Sequence, residues 1–145
     1  MSELMNLILE SKDRLDADAS TRKSLLAEMR AVIKKSYDKF DNLVSDYTYS
    51  KESNYELSIA AKEFLTDAFR YVCITENIEF EIVDSYEALY SKIYHLKDMK
   101  KMADAVSQTT DYEEAAALSY GDVITDNGWY RLCDSYYQFL KSLYE

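Results

Sequence analysis

The chain has no proline, two glycines, two cysteines and a single histidine among its 145 residues. Turn-rich all-β folds and collagen-like or linker-rich chains need proline and glycine, so their scarcity argues against these architectures. Two cysteines, Cys73 and Cys133, are too few for a disulfide framework or a zinc site, and we expect both to be buried, reduced thiols. His95 has no second ligand three or four positions away, so no metal-binding helix face is predicted.

Long apolar runs and basic residues are also scarce. No stretch approaches the roughly 20 apolar residues of a membrane span, and residues 1–11 lack the basic region and the cleavage site of a signal peptide. We therefore expect a cytoplasmic protein, in the producing cell or in an infected one. Lys and Arg number 17 against 27 Asp and Glu, which gives a formal charge of -10 and a pI near 4.6. This charge disfavours direct binding to nucleic acid or to an anionic membrane.

Hydrophobic residues make up 48% of the chain, and they recur at intervals of three and four, the spacing of an amphipathic helix. A chain of this length suits one domain with a buried core. We predict a single all-α domain, an irregular bundle of five to six helices joined by short loops. The helices are expected at about 3–15, 20–46, 53–76, 84–107 and 128–144, with a short helix between about 110 and 121. A capping box of Asp84 and Glu87 is expected to start the fourth.

Residues 78–82 depart from the helical pattern, because their apolar and acidic side chains alternate as in a half-buried strand. Residues 47–49 are the only other stretch with a preference for β-structure. Two interpretations stay open. Residues 78–82 form either an extended connection whose apolar side chains pack into the core, or one strand of a two-stranded ribbon.

No catalytic or cofactor motif is present. The chain has no Gly-rich phosphate loop, no nucleophile elbow and no EF-hand pattern. Residues 122–128 lack the alternating oxygen ligands and the closing glutamate of a calcium loop, and we interpret them as a turn that leads into a helix cap. The sequence therefore predicts a non-enzymatic protein without a metal or a cofactor.

The negative charge is concentrated in the second half of the chain. Residues 1–72 carry 13 acids and 11 bases, a net of -2, whereas residues 73–145 carry 14 acids and 6 bases, a net of -8. Two windows, 71–91 and 102–130, contain no Lys or Arg at all. Like charges without counter-charges repel and lower stability unless a cationic surface meets them. The windows are either a binding surface for a basic partner or a solvated surface that keeps the protein soluble.

Tyrosine is unusually frequent, with 14 copies. Tyr37, Tyr86, Tyr90 and Tyr136 lie on the apolar stripes and are expected in the core. A second group lies outside the stripes, where tyrosine either flanks the core or contributes to an interface. This group comprises Tyr47, Tyr49, Tyr55, Tyr112, Tyr120, Tyr130 and Tyr137. Acids and tyrosines are mixed between residues 111 and 130, so this segment is the preferred interface.

In composition the chain resembles small, acidic, helical phage proteins that mimic DNA and block restriction or CRISPR effectors. The resemblance implies an anti-restriction or anti-CRISPR inhibitor. We predict an acidic binding protein that occupies a basic, nucleic-acid-binding surface of another protein, as a DNA mimic or phage-type inhibitor does. The alternative is a helical interaction or assembly module that forms a homodimer or a hetero-complex through a tyrosine-rich apolar surface. The predicted partner-binding residues are Glu76, Glu79, Glu81, Asp84, Glu87, Asp111, Tyr112, Glu113, Glu114, Tyr120, Asp122, Asp126 and Tyr130.

Overall fold

The computed structural model is helical and describes residues 3–47, 50–101, 133, 134, 136–138, 140 and 141. Within these residues no strand occurs, and the prediction of an all-α fold is confirmed. Residues 97–101 are helical, as are the described residues between 133 and 141, which we call the C-terminal segment. The helices with defined bounds are α1 (Glu3–Glu10), α2 (Lys12–Leu15), α3 (Ala19–Ser45), α4 (Lys51–Thr75) and α5 (Tyr86–Ile93).

The two long helices start at side-chain caps. The Asp18 carboxylate accepts a hydrogen bond from the Thr21 N–H at 2.8 Å, and the Ser50 hydroxyl accepts one from the Ser53 N–H at 3.1 Å. Each cap satisfies a backbone donor that has no partner within the first turn of its helix. Both helices start and end within two residues of the positions that the apolar stripes predict.

Helices α3 and α4 form an antiparallel pair and make the most extensive helix–helix contact in the described residues. Near the start of α3, Arg22 Nη2 donates to the carbonyl oxygen of Ile74 at the end of α4, at 3.0 Å. Toward the other end of the pair, Lys39 Nζ lies 3.5 Å from the Glu63 carboxylate. From the first contact to the second, the residue number rises along α3 and falls along α4, so the two helices run in opposite directions.

The core lies between α3 and α4 and is completed by α1, α5 and the C-terminal segment. Cys133 Sγ lies 3.9 Å from the Ala61 carbonyl oxygen, and the Tyr136 ring meets the Phe69 ring edge-on with centroids 5.0 Å apart. The C-terminal segment therefore packs directly on α4. The largest fully buried side chains are those of Tyr71, Tyr86, Tyr136, Phe40, Phe64, Phe69, Leu4, Leu25, Met29, Leu57, Leu65 and Leu89.

Two predicted helices are divided in the structure. The helix expected over 3–15 breaks at Ser11, whose N–H bonds to the Ile8 carbonyl three residues back, at 3.3 Å. The helix expected over 84–107 ends at Ile93, and the Leu96 N–H bonds to the Ile93 carbonyl at 3.0 Å before residues 97–101 resume the helix. In both places the N–H bonds to the carbonyl three residues back and not to the one four residues back, as it would in an α-helix. This spacing tightens the chain into a turn.

The predicted capping box at Asp84 and Glu87 is wrong. Ser85 is the N-cap of α5, and its hydroxyl accepts from the Ala88 N–H at 3.4 Å. With the cap at Ser85, the position that a capping box would fill with Glu belongs to Ala88. Asp84 is engaged elsewhere, because its carboxylate accepts from the Glu81 N–H at 2.8 Å.

Helix α4 ends in a left-handed turn. Asn77 has a φ of 55°, its N–H bonds to the Ile74 carbonyl at 3.2 Å, and the Ile78 N–H bonds to the Cys73 carbonyl at 2.8 Å. This is the Schellman pattern, in which a residue with positive φ lets the last carbonyls of a helix find donors. The turn directs residues 78–85 across the end of the core. Ile78 and Phe80 pack against the core there.

Residues 78–82 are therefore part of an irregular connection and not of a ribbon, since no strand occurs in the described part of the chain. Of the two interpretations left open, the connection is the one observed. Ile78 and Phe80 pack against the core as expected, whereas Ile82 is exposed. Of the proposed partner strand 47–49, only Tyr47 lies within the described residues. The helix expected between 110 and 121 also lies outside them, as do residues 102–107 of the helix expected over 84–107 and all but the C-terminal segment of the helix expected over 128–144.

Asn77→Ala is expected to lower the free energy of unfolding by about 1 kcal/mol, because a Cβ-bearing side chain without a local hydrogen bond is disfavoured at positive φ. Asn77→Gly is the matched control and is expected to stay within about 0.5 kcal/mol of the parent. Both variants lose the 3.4 Å contact between Asn77 Oδ1 and Arg22, so their difference isolates the backbone effect. Urea titration of the three proteins checks this, and equal stability of the two variants would contradict it.

Candidate functional site

The acids of the first window lie in the connection between α4 and α5 and in the first turn of α5. We call residues 76–85 the acidic loop. Glu76, Glu79 and Glu81 are exposed, whereas Asp84 and, just beyond the loop, Glu87 are partly buried. None of the four glutamates forms a salt bridge with a Lys or Arg among the described residues. Their negative charge is thus presented to solvent without a fixed counter-charge.

Arg70 holds the acidic loop from inside. Its side chain is buried, and Nη2 donates to the carbonyl oxygens of Ile82 at 2.9 Å and Asp84 at 3.4 Å. Nη1 lies 3.5 Å from the carboxylate of Asp67, which is also buried. The guanidinium thus uses its fork of donors to join α4 to the backbone of the loop.

Lys92 holds the same loop from α5. Its Nζ donates to the Asp84 carboxylate at 3.0 Å and to the Glu79 carbonyl oxygen at 3.4 Å. The two bases that border the window in the sequence therefore fold back onto it. Both act on backbone carbonyls and on Asp84, so they fix the shape of the loop and do not neutralise its exposed glutamates.

Asp84 has an internal role in the loop. Its carboxylate accepts from the Glu81 N–H and from Lys92. These bonds hold the pKa of the Asp84 carboxyl below its ordinary value, the backbone hydrogen bond being the largest cause. A carboxylate that is already committed to two donors has less capacity for a partner than the exposed glutamates beside it.

The loop also exposes two apolar side chains that the sequence pattern does not identify. Val83 is 85% exposed and Ile82 47% exposed, and they lie between Glu81 and Asp84. The alternating pattern predicts an inward Ile82, but Arg70 binds its carbonyl oxygen and the chain turns there. We call Ile82 and Val83 the apolar tip. Acids border the tip, and an apolar centre with a polar rim is the general arrangement of protein–protein interfaces.

Four acids of the first half of the chain form salt bridges at the surface. Pairs at the surface of α1–α4 join Arg14 to Glu28 at 2.6 Å, Lys34 to Asp38 at 2.8 Å, Lys35 to Glu3 at 3.2 Å and Lys39 to Glu63 at 3.5 Å. Such exposed pairs add little stability, but they cancel charge locally. These four acids therefore differ from the exposed glutamates of the acidic loop, which have no such pair among the described residues.

The predicted partner-binding residues of the second window lie outside the described residues. The structure consequently brings together Glu76, Glu79, Glu81, Asp84 and Glu87 and leaves the preferred interface at 111–130 as a prediction. The residues in question are Asp111, Tyr112, Glu113, Glu114, Tyr120, Asp122, Asp126 and Tyr130.

The tyrosines predicted for the core are found there. Tyr37, Tyr86 and Tyr136 are buried and Tyr90 is partly buried. Of the second group, Tyr137 stacks on Tyr37 with ring centroids 4.0 Å apart. Tyr47 packs against the core, while Tyr55 is exposed. Most described tyrosines of the second group therefore flank the core.

The two cysteines and the histidine are the remaining candidates for chemistry. Cys73 and Cys133 are buried and free, as expected. Burial raises the pKa of the Cys73 thiol to about 11 and that of Cys133 well above its ordinary value, which keeps both unreactive at neutral pH. His95 is exposed in the turn after α5, with its ring edge against Tyr94.

Comparison with protein-family models, with curated proteins and with solved structures finds no match to this chain. In the described part of the chain, no group of three or more His, Cys, Asp or Glu side chains is arranged to hold a metal ion. None of the helices described combines the length and the apolar character that a membrane span requires.

Proposed function

We propose that this protein is a non-enzymatic binding protein whose acidic surface occupies a basic, nucleic-acid-binding surface of another protein. It acts in the same way as a DNA mimic, or as a phage-type inhibitor of a restriction or CRISPR effector. The observation that carries the proposal is the acidic loop. It exposes Glu76, Glu79 and Glu81 without base partners among the described residues, while Arg70 holds its backbone from the core and Lys92 holds it from α5.

A held loop is a better charge template than a flexible one. Ordering a loop on binding costs free energy, so a loop that is already held by hydrogen bonds from Arg70 and Lys92 keeps more of its interaction energy for the partner. Exposed carboxylates attract a Lys- and Arg-lined groove over a distance of about a Debye length and raise the association rate. The resulting complex weakens as the salt concentration rises, as protein–DNA complexes do.

The apolar tip supports a protein as the partner. Val83 and Ile82 offer contact area that a basic groove can cover, and central apolar contacts contribute more to affinity than charges at the rim. The glutamates then set encounter and orientation, and the tip contributes to the lifetime of the complex.

The test is a comparison of two charge-reversal triples against a panel of restriction endonucleases and RNA-guided nucleases. The loop triple is Glu76→Lys, Glu79→Lys and Glu81→Lys. The control triple is Glu10→Lys, Asp46→Lys and Glu56→Lys, whose acids are also exposed and form no salt bridge with described residues. Both triples change the net charge by the same amount.

We expect the parent protein to inhibit DNA binding by an effector of the panel, with inhibition that falls steeply between about 50 and 300 mM salt. The loop triple should weaken inhibition by about tenfold or more, because attraction becomes repulsion, whereas the control triple should stay within about threefold of the parent. DNA cleavage and mobility-shift titrations measure both. If both triples lost inhibition equally at an unchanged melting temperature, the loop acids would serve solubility and not partner binding.

The assembly module stays a weaker alternative, and it has one specific observation in its favour. Tyr55 and Ile59 are exposed one helical turn apart on α4, so they form a small apolar patch. Sedimentation equilibrium in low and high salt separates the two functions, because an apolar interface holds or tightens in kosmotropic salt.

A further inference from the structure

A cavity of about 300 Å³ lies between α3, the end of α4 and the C-terminal segment, away from the acidic loop. Its wall contains three cations, which are Arg30, Lys34 and Lys141, and two tyrosines, Tyr71 and Tyr137. Among the described residues the rest of the lining is apolar, and no carboxylate contributes to it. Three cations around one concavity are unexpected in a chain with a formal charge of -10.

Arg30 is the best-placed cation. Its Nη1 donates to the Tyr71 hydroxyl oxygen at 2.8 Å, and it forms no salt bridge with a carboxylate among the described residues. A guanidinium has five N–H donors in a planar fork, so the bond to Tyr71 orients it and leaves a face that can bind two oxygens of an anion.

The two lysines complete the charge of the cavity. Lys141 Nζ lies 5.6 Å from the centroid of the Tyr137 ring, in cation–π geometry. Lys34 Nζ lies 2.8 Å from the Asp38 carboxylate on the exposed surface of α3. Asp38 is thus the one described carboxylate that pairs with a cavity cation, and Arg30 and Lys141 form no salt bridge among the described residues.

We propose that this cavity binds a small organic anion, a carboxylate or a phosphate monoester carried on an apolar or aromatic body. Arg30 binds the anionic group with two hydrogen bonds, and Lys141 and Lys34 supply the surrounding positive charge. The apolar body packs against Tyr137, Leu140 and the small side chains of α3. The volume is at the lower end of the range for ligand pockets, which suits a ligand of one ring or a short chain.

Four probes separate the contributions of charge and body. Phenyl phosphate and phenylacetate carry both parts, inorganic phosphate carries the charge alone, and benzyl alcohol carries the ring alone. We expect saturable binding of phenyl phosphate or phenylacetate, measured by calorimetry and by NMR shifts of α3 amides. Inorganic phosphate and benzyl alcohol should bind at least about tenfold more weakly, since each lacks one of the two contact types.

Two variants locate the site. Arg30→Gln and Lys141→Met are each expected to weaken phenyl phosphate binding by about tenfold, the value of one charge-assisted contact. Lys23→Met, a change of an exposed lysine on the same helix but outside the cavity, should leave binding unchanged. Lys141 is exposed, so its variant tests the site even if Arg30→Gln lowers the melting temperature. No saturable binding of either two-part probe, or an equal loss in Lys23→Met, would overturn the proposal.

Discussion

Replacing Phe64 by alanine is expected to lower the free energy of unfolding by about 3–5 kcal/mol. Phe64 lies on α4 and is 0% exposed. Its ring meets Tyr37 of α3 edge-on with centroids 5.4 Å apart, and Tyr137 of the C-terminal segment at 6.4 Å. Truncation therefore leaves a cavity where three helical elements meet and removes two aromatic contacts. A loss of this size is a large fraction of the about 5–15 kcal/mol that a typical domain has.

The matched control is Tyr55→Ala, a truncation of similar size on the same helix at a side chain that is 67% exposed. It is expected to change stability by less than about 0.5 kcal/mol, because it creates no cavity. Urea titration followed by circular dichroism gives the midpoint and slope of each transition. If the two variants lost equal stability, the aromatic cluster around Phe64 would not contribute to stability as a buried part of the core does.

The long helices could be predicted from the sequence because their positions depend on local signals. The apolar stripes of α3 and α4 repeat over six or more turns, and Asp18 and Ser50 are residue types that start helices. Burial of the stripes then makes the prediction robust, since any other local structure would expose them. The same reasoning places Tyr37, Tyr86 and Tyr136 in the core.

The helix around α5 could not be predicted in detail, because its start depends on tertiary contacts. Asp84 and Ser85 are both good N-cap residues. The Asp84 carboxylate accepts hydrogen bonds from the Glu81 N–H and from Lys92, so Ser85 is the N-cap. Nothing in the local pattern distinguishes the two residues before the loop is folded.

The candidate sites were predictable in part. Charge counting identifies the acidic window, and the structure shows which of its acids are exposed. Charge counting does not show that Arg70 and Lys92 bind the loop backbone, because those contacts depend on how α4 and α5 pack. The cationic cavity is invisible to the sequence pattern, since Arg30, Tyr71 and Lys141 come together only when three distant segments fold.

Arg70 connects the core to the candidate site, so its replacement tests both. It is 8% exposed, and the Asp67 carboxylate beside it is 1% exposed. Ser36 Oγ donates to the same carboxylate at 3.3 Å, so Asp67 keeps some hydrogen bonding when Arg70 is removed. The Arg70 Nε group, in contrast, has no acceptor among the described residues.

Arg70→Met is expected to lower the free energy of unfolding by about 3–5 kcal/mol, because it removes a guanidinium that lies 3.5 Å from the buried Asp67 carboxylate. It also removes the donors to the Ile82 and Asp84 carbonyl oxygens. Amide hydrogen exchange at residues 79–85 should therefore accelerate even under conditions where the variant stays folded. Inhibition of the effector should weaken with it, since the glutamates lose their fixed arrangement.

Two further variants make the origin of the loss clear. Arg70→Met combined with Asp67→Leu should recover most of the lost stability, because replacing both charges of a buried pair by apolar groups is often close to neutral. Lys92→Met removes the outer contact of the loop and should cost less than about 1 kcal/mol, as expected for a partly exposed pair. The double variant should regain stability without regaining slow exchange in the loop, because the carbonyl oxygens of Ile82 and Asp84 still lack their donor. If it regained both, the loop would be held by core packing and not by Arg70.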